Sequence, residues 1–311
     1  MGADGAAGAA AQEPNRLVEG FKKRGGARCI VPSRSAKKAA GKARATKAAK
    51  TAPAKKAVRK QAKKLVAKRA ATKDTLDPEF VGKFLPYLRA LRGYTRLKVD
   101  GLENIPKKGS AILAANHTGW LGLDYALAAL VVHDEVGRTP RGMVHEAWFL
   151  TPATAQFAAK MGLSKVSKES MAEQLGGNHL VMVFPEGEHG AFRPVSNYEV
   201  LEFARGFVRV AMQKGVPVIP VAILGGEESN PVDKTIKSYE QLLKLPLIIP
   251  TNLLPKPVKW RIRFLPPLDF EGFDASDADD AVRVHAIARD VQQRVQTAIR
   301  TLQKERGNPY I

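Results

Sequence analysis

The sequence predicts an α/β fold preceded by a disordered basic tail, and three observations lead there. From Asp77 onward, apolar runs short enough to be strands alternate with stretches of helical period, the pattern of a sheet with helices packed on it. The chain closes on a long stretch with apolar residues at helical spacing. Charge is segregated: residues 1–76 hold 21 Lys/Arg against 4 Asp/Glu, and residues 77–311 hold 29 against 26. The first part therefore carries +17 of a formal net charge of +20, and the body is close to neutral.

The tail comes first. From Ser35 to Lys73 the chain is almost only Ala, Lys, Arg and Thr, with Pro53 its one proline and no acid or aromatic residue. Such a segment cannot bury enough apolar surface to offset the entropy of ordering it, so disorder is expected over residues 1–76. Its plain reading is a solubilising tail. Its sharper reading is adsorption to an anionic membrane surface, at about 1 kcal/mol per Lys/Arg. Neutralisation of nucleic-acid phosphates ranks behind that, and a transit peptide ranks low, because the segment is rich in lysine rather than serine.

Residues 77–311 read as the folded domain. Ala111–Ala115 is a buried strand feeding a loop over Asn116–Gly122, and an apolar helix follows over Leu123–Val132. Gly142–Val144 and Leu180–Phe184 are short strands. A helix is expected over Val200–Gln213, a strand over Val216–Leu224, a helix over Lys234–Lys244 and an alternating strand over Val258–Phe264. Ala278–Lys304 is the closing helix, with Val282, Ile287, Val291, Val295, Ile299 and Leu302 as its apolar stripe. Neither an internal repeat nor a run near the ~18 apolar residues of a spanning helix is present; Ala126–Val132 and Leu247–Ile249 are among the longest. The single cysteine, Cys29, excludes a disulfide-built scaffold and a Cys-type metal site. The start lacks the Ser/Thr of a myristoylation signal, and a reducing, cytoplasmic setting is the default.

Two segments could carry chemistry. In Asn116-His117-Thr118-Gly119-Trp120-Leu121-Gly122-Leu123-Asp124, lying between a strand's end and a helix's start, a ligand site is expected for an open α/β sheet. On one continuous helix His117 and Asp124 would stand roughly 10.5 Å apart along the axis, beyond hydrogen-bond reach. Gly119 and Gly122 argue for a loop instead, which could fold the Asp124 carboxylate back onto the His117 ring. The carboxylate would then fix the imidazole tautomer while the other nitrogen takes a proton from a hydroxyl. The alternative is that Asp124 is a helix cap and His117 a buried hydrogen-bonder. In Phe184-Pro185-Glu186-Gly187-Glu188-His189-Gly190, a strand ends in a tight polar loop whose Glu186 and amides could hold a polar head group, the alternative being an ordinary turn. Further on, Gly206 inside a helix suggests close packing against a strand or ligand.

Together these segments resemble the glycerolipid acyltransferase superfamily, the glycerol-phosphate and lysophospholipid acyltransferases, over about residues 85–270. The family's Asn-His leading to an Asp, its Phe-Pro-Glu-Gly and its Val-Pro-Val-Ile-Pro-Val are matched here by Asn116-His117 with Asp124, by residues 184–187 and by residues 216–221. The resemblance implies a mostly parallel sheet flanked by helices. It also implies His117 as general base with Asp124 as its orienter, and substrate contacts from Asn116, Glu186 and Gly187. An acyl thioester is already activated, so the chemistry needs a base, alignment and donors for an oxyanion. It calls for no cofactor, metal or nucleophilic cysteine beyond acyl-CoA or acyl carrier protein as co-substrate and a lipid acceptor.

Two departures stand out. Six residues separate His117 from Asp124 where the family usually has four, as in the branch of monoacylglycerol- and diacylglycerol-acyltransferase-like proteins. Phospho-acceptor members follow Glu-Gly with Thr-Arg-Ser, whereas here the first arginine is delayed to Arg193, with Arg205 and Arg209 as other stand-ins. The expectation is a peripheral membrane O-acyltransferase of phospholipid or glycerolipid metabolism, acting on a lysophospholipid or a mono- or diacylglycerol. The rival is an inactive acyltransferase-like body whose polybasic tail does the binding, against which the presence of His117, Asp124 and Glu186 together argues. A thioester hydrolase finds no Gly-x-Ser-x-Gly elbow to support it.

Overall fold

The computed structural model describes residues 75–118, 122–191, 198–236, 247–250, 252, 254–273 and 276–310. Residues 1–74 of the basic tail, Arg193, and Gly119 to Leu121 of the histidine loop lie outside that set. Two short helices open the described chain, α1 (Pro78–Gly82) and α2 (Leu85–Tyr94). Asp77 starts α1 by accepting the Phe80 N–H at 3.0 Å, with Pro78 where a missing N–H costs nothing. The other helices are α3 (Leu123–Val131), which runs on into a π turn over Val132–Val136, α4 (Pro152–Lys160), α5 (Lys168–Gly176), α6 (Glu188–Ala191), α7 (Gly206–Lys214), α8 (Gly226–Ser229) and α9 (Ala281–Arg306).

The strands are β1 (Lys98–Asp100), β2 (Ala111–Ala115), β3 (Arg141–Val144), β4 (Ser164–Lys165), β5 (Leu180–Val183), β6 (Val218–Leu224), β7 (Val232–Ile236), β8 (Leu247–Pro250) and β9 (Arg261–Phe264). Seven pair as one sheet in the order β1-β9-β6-β2-β5-β3-β4. Its pairings are parallel except β6 with β9, so the sheet is mostly parallel as expected. The all-apolar β2 lies near its middle with every residue buried, as a strand covered on both faces must be. On one face Ala111, Leu113, Ala115, Leu180 and Met182 pack with Leu127, Ala128 and Val131 of α3. On the other, Ile112, Ala114, Val181 and Val183 pack with α5, α7 and α9.

Several expectations are corrected. The helix predicted over Lys234–Lys244 begins as strand: Val232–Ile236 pairs antiparallel with Leu247–Pro250, its β-branched Val232, Thr235 and Ile236 favouring extended backbone. Residues 237–244 of that prediction lie outside the described set. The helix predicted from Val200 starts only at Gly206, because the Val200 N–H and C=O are taken by the side chains of Gln296 and Gln292 on α9 at 2.7 and 3.0 Å, and the Ala204 N–H by Pro185 O at 2.9 Å. Gly206 is then the first helical residue, and a Cβ there meets no atom within 4 Å, so close packing does not explain it. On α9 the stripe begins at Val284, while Val282 is 79% exposed. The far end of α9 is pinned by Arg306, whose buried guanidinium donates to Glu228 Oε1 of α8 at 2.5 Å. Tyr198 donates its hydroxyl to the same oxygen at 2.7 Å.

Candidate active site

At the carboxyl end of β2 the chain leaves the sheet through Asn116. Its carboxamide donates to Ile223 O at 2.9 Å and accepts the Ile223 N–H at 2.8 Å, fixing the start of the loop against β6. Each end of its side chain thus bonds the neighbouring strand, and it is buried, an anchoring role that the sequence does not announce. The next residue, His117, is thereby held at the sheet's edge with a partly exposed ring. Gly122 takes a left-handed conformation (φ 68°) immediately before α3, which turns the chain so that Asp124, in the first turn, faces back toward the histidine.

The two side chains meet. His117 Nδ1 lies 2.5 Å from Asp124 Oδ2. The carboxylate is fully buried, and it also accepts the Thr118 N–H at 2.9 Å and the Tyr125 N–H at 2.8 Å. Because an ionised carboxylate only accepts, it places the imidazole proton on Nδ1 and leaves the Nε2 lone pair available. Gly122 at the N-cap of α3 offers no side chain, so by accepting the Tyr125 N–H Asp124 both serves a first-turn donor of α3 and orients the histidine. The seven-residue separation thus closes into one dyad through the loop. The Phe184 ring stacks on the imidazole, with centroids 4.3 Å apart and planes inclined by 26°.

The loop after β5 comes up beside this dyad. Glu186 is buried, and its Oε1 accepts the His117 N–H at 3.3 Å. Gly187 is exposed, left-handed (φ 67°), and donates its N–H to Phe184 O at 3.0 Å. Gly190 is required by contact: a Cβ there would stand 2.7 Å from the Glu186 carboxylate and 3.0 Å from His117 Cβ. Arg205 is exposed and pairs with Glu202 at 3.5 Å, and Arg209 donates to Ala278 O. Neither borders the cavity described next. The sequence reading missed Gly190 and the Thr118 and Tyr125 amides, because nothing in residue type marks an amide or a close approach before the loops are folded together.

Beside His117 opens an apolar cavity of about 720 Å³. Leu85, Leu88, Tyr125, Ala129, Phe157 and Phe207 are among its walls. The sequence reading had no α1, α2 or α4, so it also missed this wall; Phe80, Phe84, Leu85, Leu88 and Leu91 at helical spacing, and Pro152 with the alanines around Phe157, were the available signal. Tyr125 donates its hydroxyl to Pro140 O at 3.0 Å, and burial pushes its phenol above the ordinary range, so it stays protonated. Among the described residues no group of three or more His, Cys, Asp or Glu side chains is placed to hold a metal ion, and no helix is long and apolar enough to cross a membrane.

The domain thus places a His–Asp pair at the carboxyl end of a central strand and beside an apolar cavity, where open α/β sheets hold their ligands. The family described as Acyltransferase matches residues 96–224. An uncharacterized protein of Mycobacterium tuberculosis is 31% identical over 249 residues, which cover 75% of this chain and 70% of that one. The human "DGAT1/2-independent enzyme synthesizing storage lipids" is 29% identical over 127 residues, 40% of this chain and 38% of that one. The 1-acyl-sn-glycerol-3-phosphate acyltransferase of Pseudomonas aeruginosa is 28% identical over 149 residues, 47% and 56% of the two chains. The chain belongs to the glycerolipid acyltransferase superfamily, and it is an acyltransferase.

Proposed function

We propose that the protein moves a fatty acyl group from acyl-CoA or acyl carrier protein to a hydroxyl of a glycerolipid acceptor, with His117 as general base. The observation that carries this reading is the 2.5 Å His117–Asp124 contact at the mouth of the apolar cavity. His117 Nε2 takes the proton of the acceptor hydroxyl as its oxygen attacks the thioester carbonyl. The tetrahedral intermediate then expels the thiolate, which takes that proton back from the imidazolium, so the ring returns to its starting state. Asp124 stabilises the charged imidazolium in between. Glu186 Oε1 also holds the His117 main chain in place, a positioning role beside the head-group contact expected from sequence.

The acceptor is a mono- or diacylglycerol, or a lysophospholipid whose phosphate is not itself the handle. No arginine lies between Gly187 and Arg193, and Arg205 is turned to Glu202. One named relative synthesises storage lipids and another takes a phosphate-bearing acceptor; the missing arginine favours the former chemistry. The tail, with +17 net charge over residues 1–76, would concentrate the enzyme on anionic membranes. The test is His117→Ala, which should lower turnover ~10²–10⁴-fold, the usual share of a positioned base, in a variant whose thermal unfolding matches wild type. Unchanged acyl transfer by that folded variant would remove the mechanism.

A further inference from the structure

The cavity touches both faces of the sheet. Successive residues of a strand point to opposite faces, yet Met143 and Val144 at the end of β3 both line it, and so do Val183 and Phe184 at the end of β5. The strand register provides the reason. β3 pairs with β5 only at Arg141 opposite Val181 and Gly142 opposite Met182, after which Met143 and Val144 pair with Ser164 and Lys165 of β4. The β3 and β5 ends are no longer joined to each other, and the gap between them leads from one face to the other.

Each face supplies one limb. On the first, the wall is α2 and α3, where Gly122, Ala126, Ala129 and His133 recur every three or four residues. They span roughly 16 Å along the helix at 1.5 Å per residue. The polar pair at its far end, His133 and Thr139, is spent on a mutual 2.9 Å contact. On the second face the wall is Met171 of α5 with Ala204, Gly206 and Phe207 at the start of α7, and Ser167 and Lys168 add polar atoms. The two limbs belong to different cores, Phe207 and Met171 to one and Tyr125 and Phe184 to the other. His117 lines the same cavity and stacks on Phe184 beside the gap. A methylene fills about the ~30 Å³ of a liquid water, so the 720 Å³ holds roughly two dozen, more than one sixteen-carbon chain.

We propose that the gap between the ends of β3 and β5 divides the cavity into two hydrocarbon sites that meet at His117. The α3 limb takes the donor's acyl chain, and the α5–α7 limb takes the acceptor's own chain. The second limb is assigned to the acceptor because the exposed, cationic Lys168 borders it and can meet a polar head group, while the Ser167 hydroxyl is the cap of α5 and accepts the Ser170 N–H at 3.0 Å. The naming of the occupants rests on the acyl-transfer reading; the existence of two chain sites does not.

The test uses the full chain with Ala129→Phe to fill the first limb and Gly206→Leu to fill the second. A side chain at Gly206 meets no protein atom within 4 Å of its Cβ, so it grows into the cavity; Ala126→Leu and Ala204→Leu serve if either fails to fold. The first readout is the stoichiometry of cis-parinaric acid below its micelle concentration. Two molecules per wild-type chain and one per variant are expected, and one per wild-type chain overturns the proposal. The second readout is kcat/KM for acyl-CoA donors and monoacylglycerol acceptors of graded length. Each methylene displaced costs roughly fourfold in affinity, so losing two costs roughly sixteenfold. Ala129→Phe should impose that loss on long donors and Gly206→Leu on long acceptors. If both variants act on the same substrate, the two limbs are one. Two bound probes with no acyl transfer by wild type would overturn the acyl-transfer reading and leave the two sites standing.

Discussion

Replacing Asp124 by Asn tests the dyad with almost no change of shape. The carboxylate accepts three N–H groups: Oδ2 takes those of His117 Nδ1 and Thr118, and Oδ1 takes that of Tyr125. An asparagine has one accepting oxygen and one donating nitrogen. With its oxygen toward His117, its NH₂ meets the Tyr125 N–H; turned the other way, it meets both the Thr118 amide and the histidine. Either way at least one buried donor loses its partner, at about 1–3 kcal/mol. The second orientation also forces the imidazole proton from Nδ1 to Nε2, where the ring can no longer accept a proton from a hydroxyl. The same exchange lowers kcat about 10⁴-fold in a serine protease triad, and a loss of ~10²–10⁴ is expected here. The assay is thiol release from acyl-CoA with a lipid acceptor, run beside urea unfolding of the same preparation. A stable Asp124→Asn variant at full rate would refute the orienting role. A variant losing stability but no activity per folded molecule would reduce Asp124 to a structural clamp.

Asn116→Ala removes both bonds to Ile223 and should cost about 1–3 kcal/mol for each main-chain group left unpaired, read from the urea midpoint. Tyr198 is pushed up to about 12, by burial first and by its hydrogen bond to Glu228 second. The folded state therefore holds that proton more tightly than the unfolded chain, and the resulting stability is whole below pH ~10 and lost as pH rises from there to about 12. Tyr198→Phe should abolish that alkaline decline, seen in unfolding midpoints against pH. For the tail, full-length protein should bind anionic vesicles and release them as salt rises, because exposed charges are screened over ~10 Å at 0.1 M. Equal binding to neutral vesicles, or stronger salt-sensitive binding to duplex DNA, would count against a membrane role.

The sequence by itself determined the elements that are buried on both faces or strictly periodic. Ala111–Ala115, Leu180–Val183 and Val218–Leu224 are continuous apolar runs, and no other arrangement hides them as well as the middle of a parallel sheet. Asp124 could be linked to His117 because two glycines between them made one helix untenable. Where main-chain hydrogen bonds go was not legible: Val200 to Ala204 look helical until Gln292, Gln296 and Pro185 claim their N–H and C=O groups. Glu186 reads from the sequence as a ligand to a head group, and only the fold shows that it also accepts the His117 amide at 3.3 Å. The cavity belongs wholly to tertiary structure, since the opening between its two limbs depends on the β3–β5 pairing ending at Gly142. Residue type and period report how a segment meets water, and they report nothing about which neighbour it meets instead.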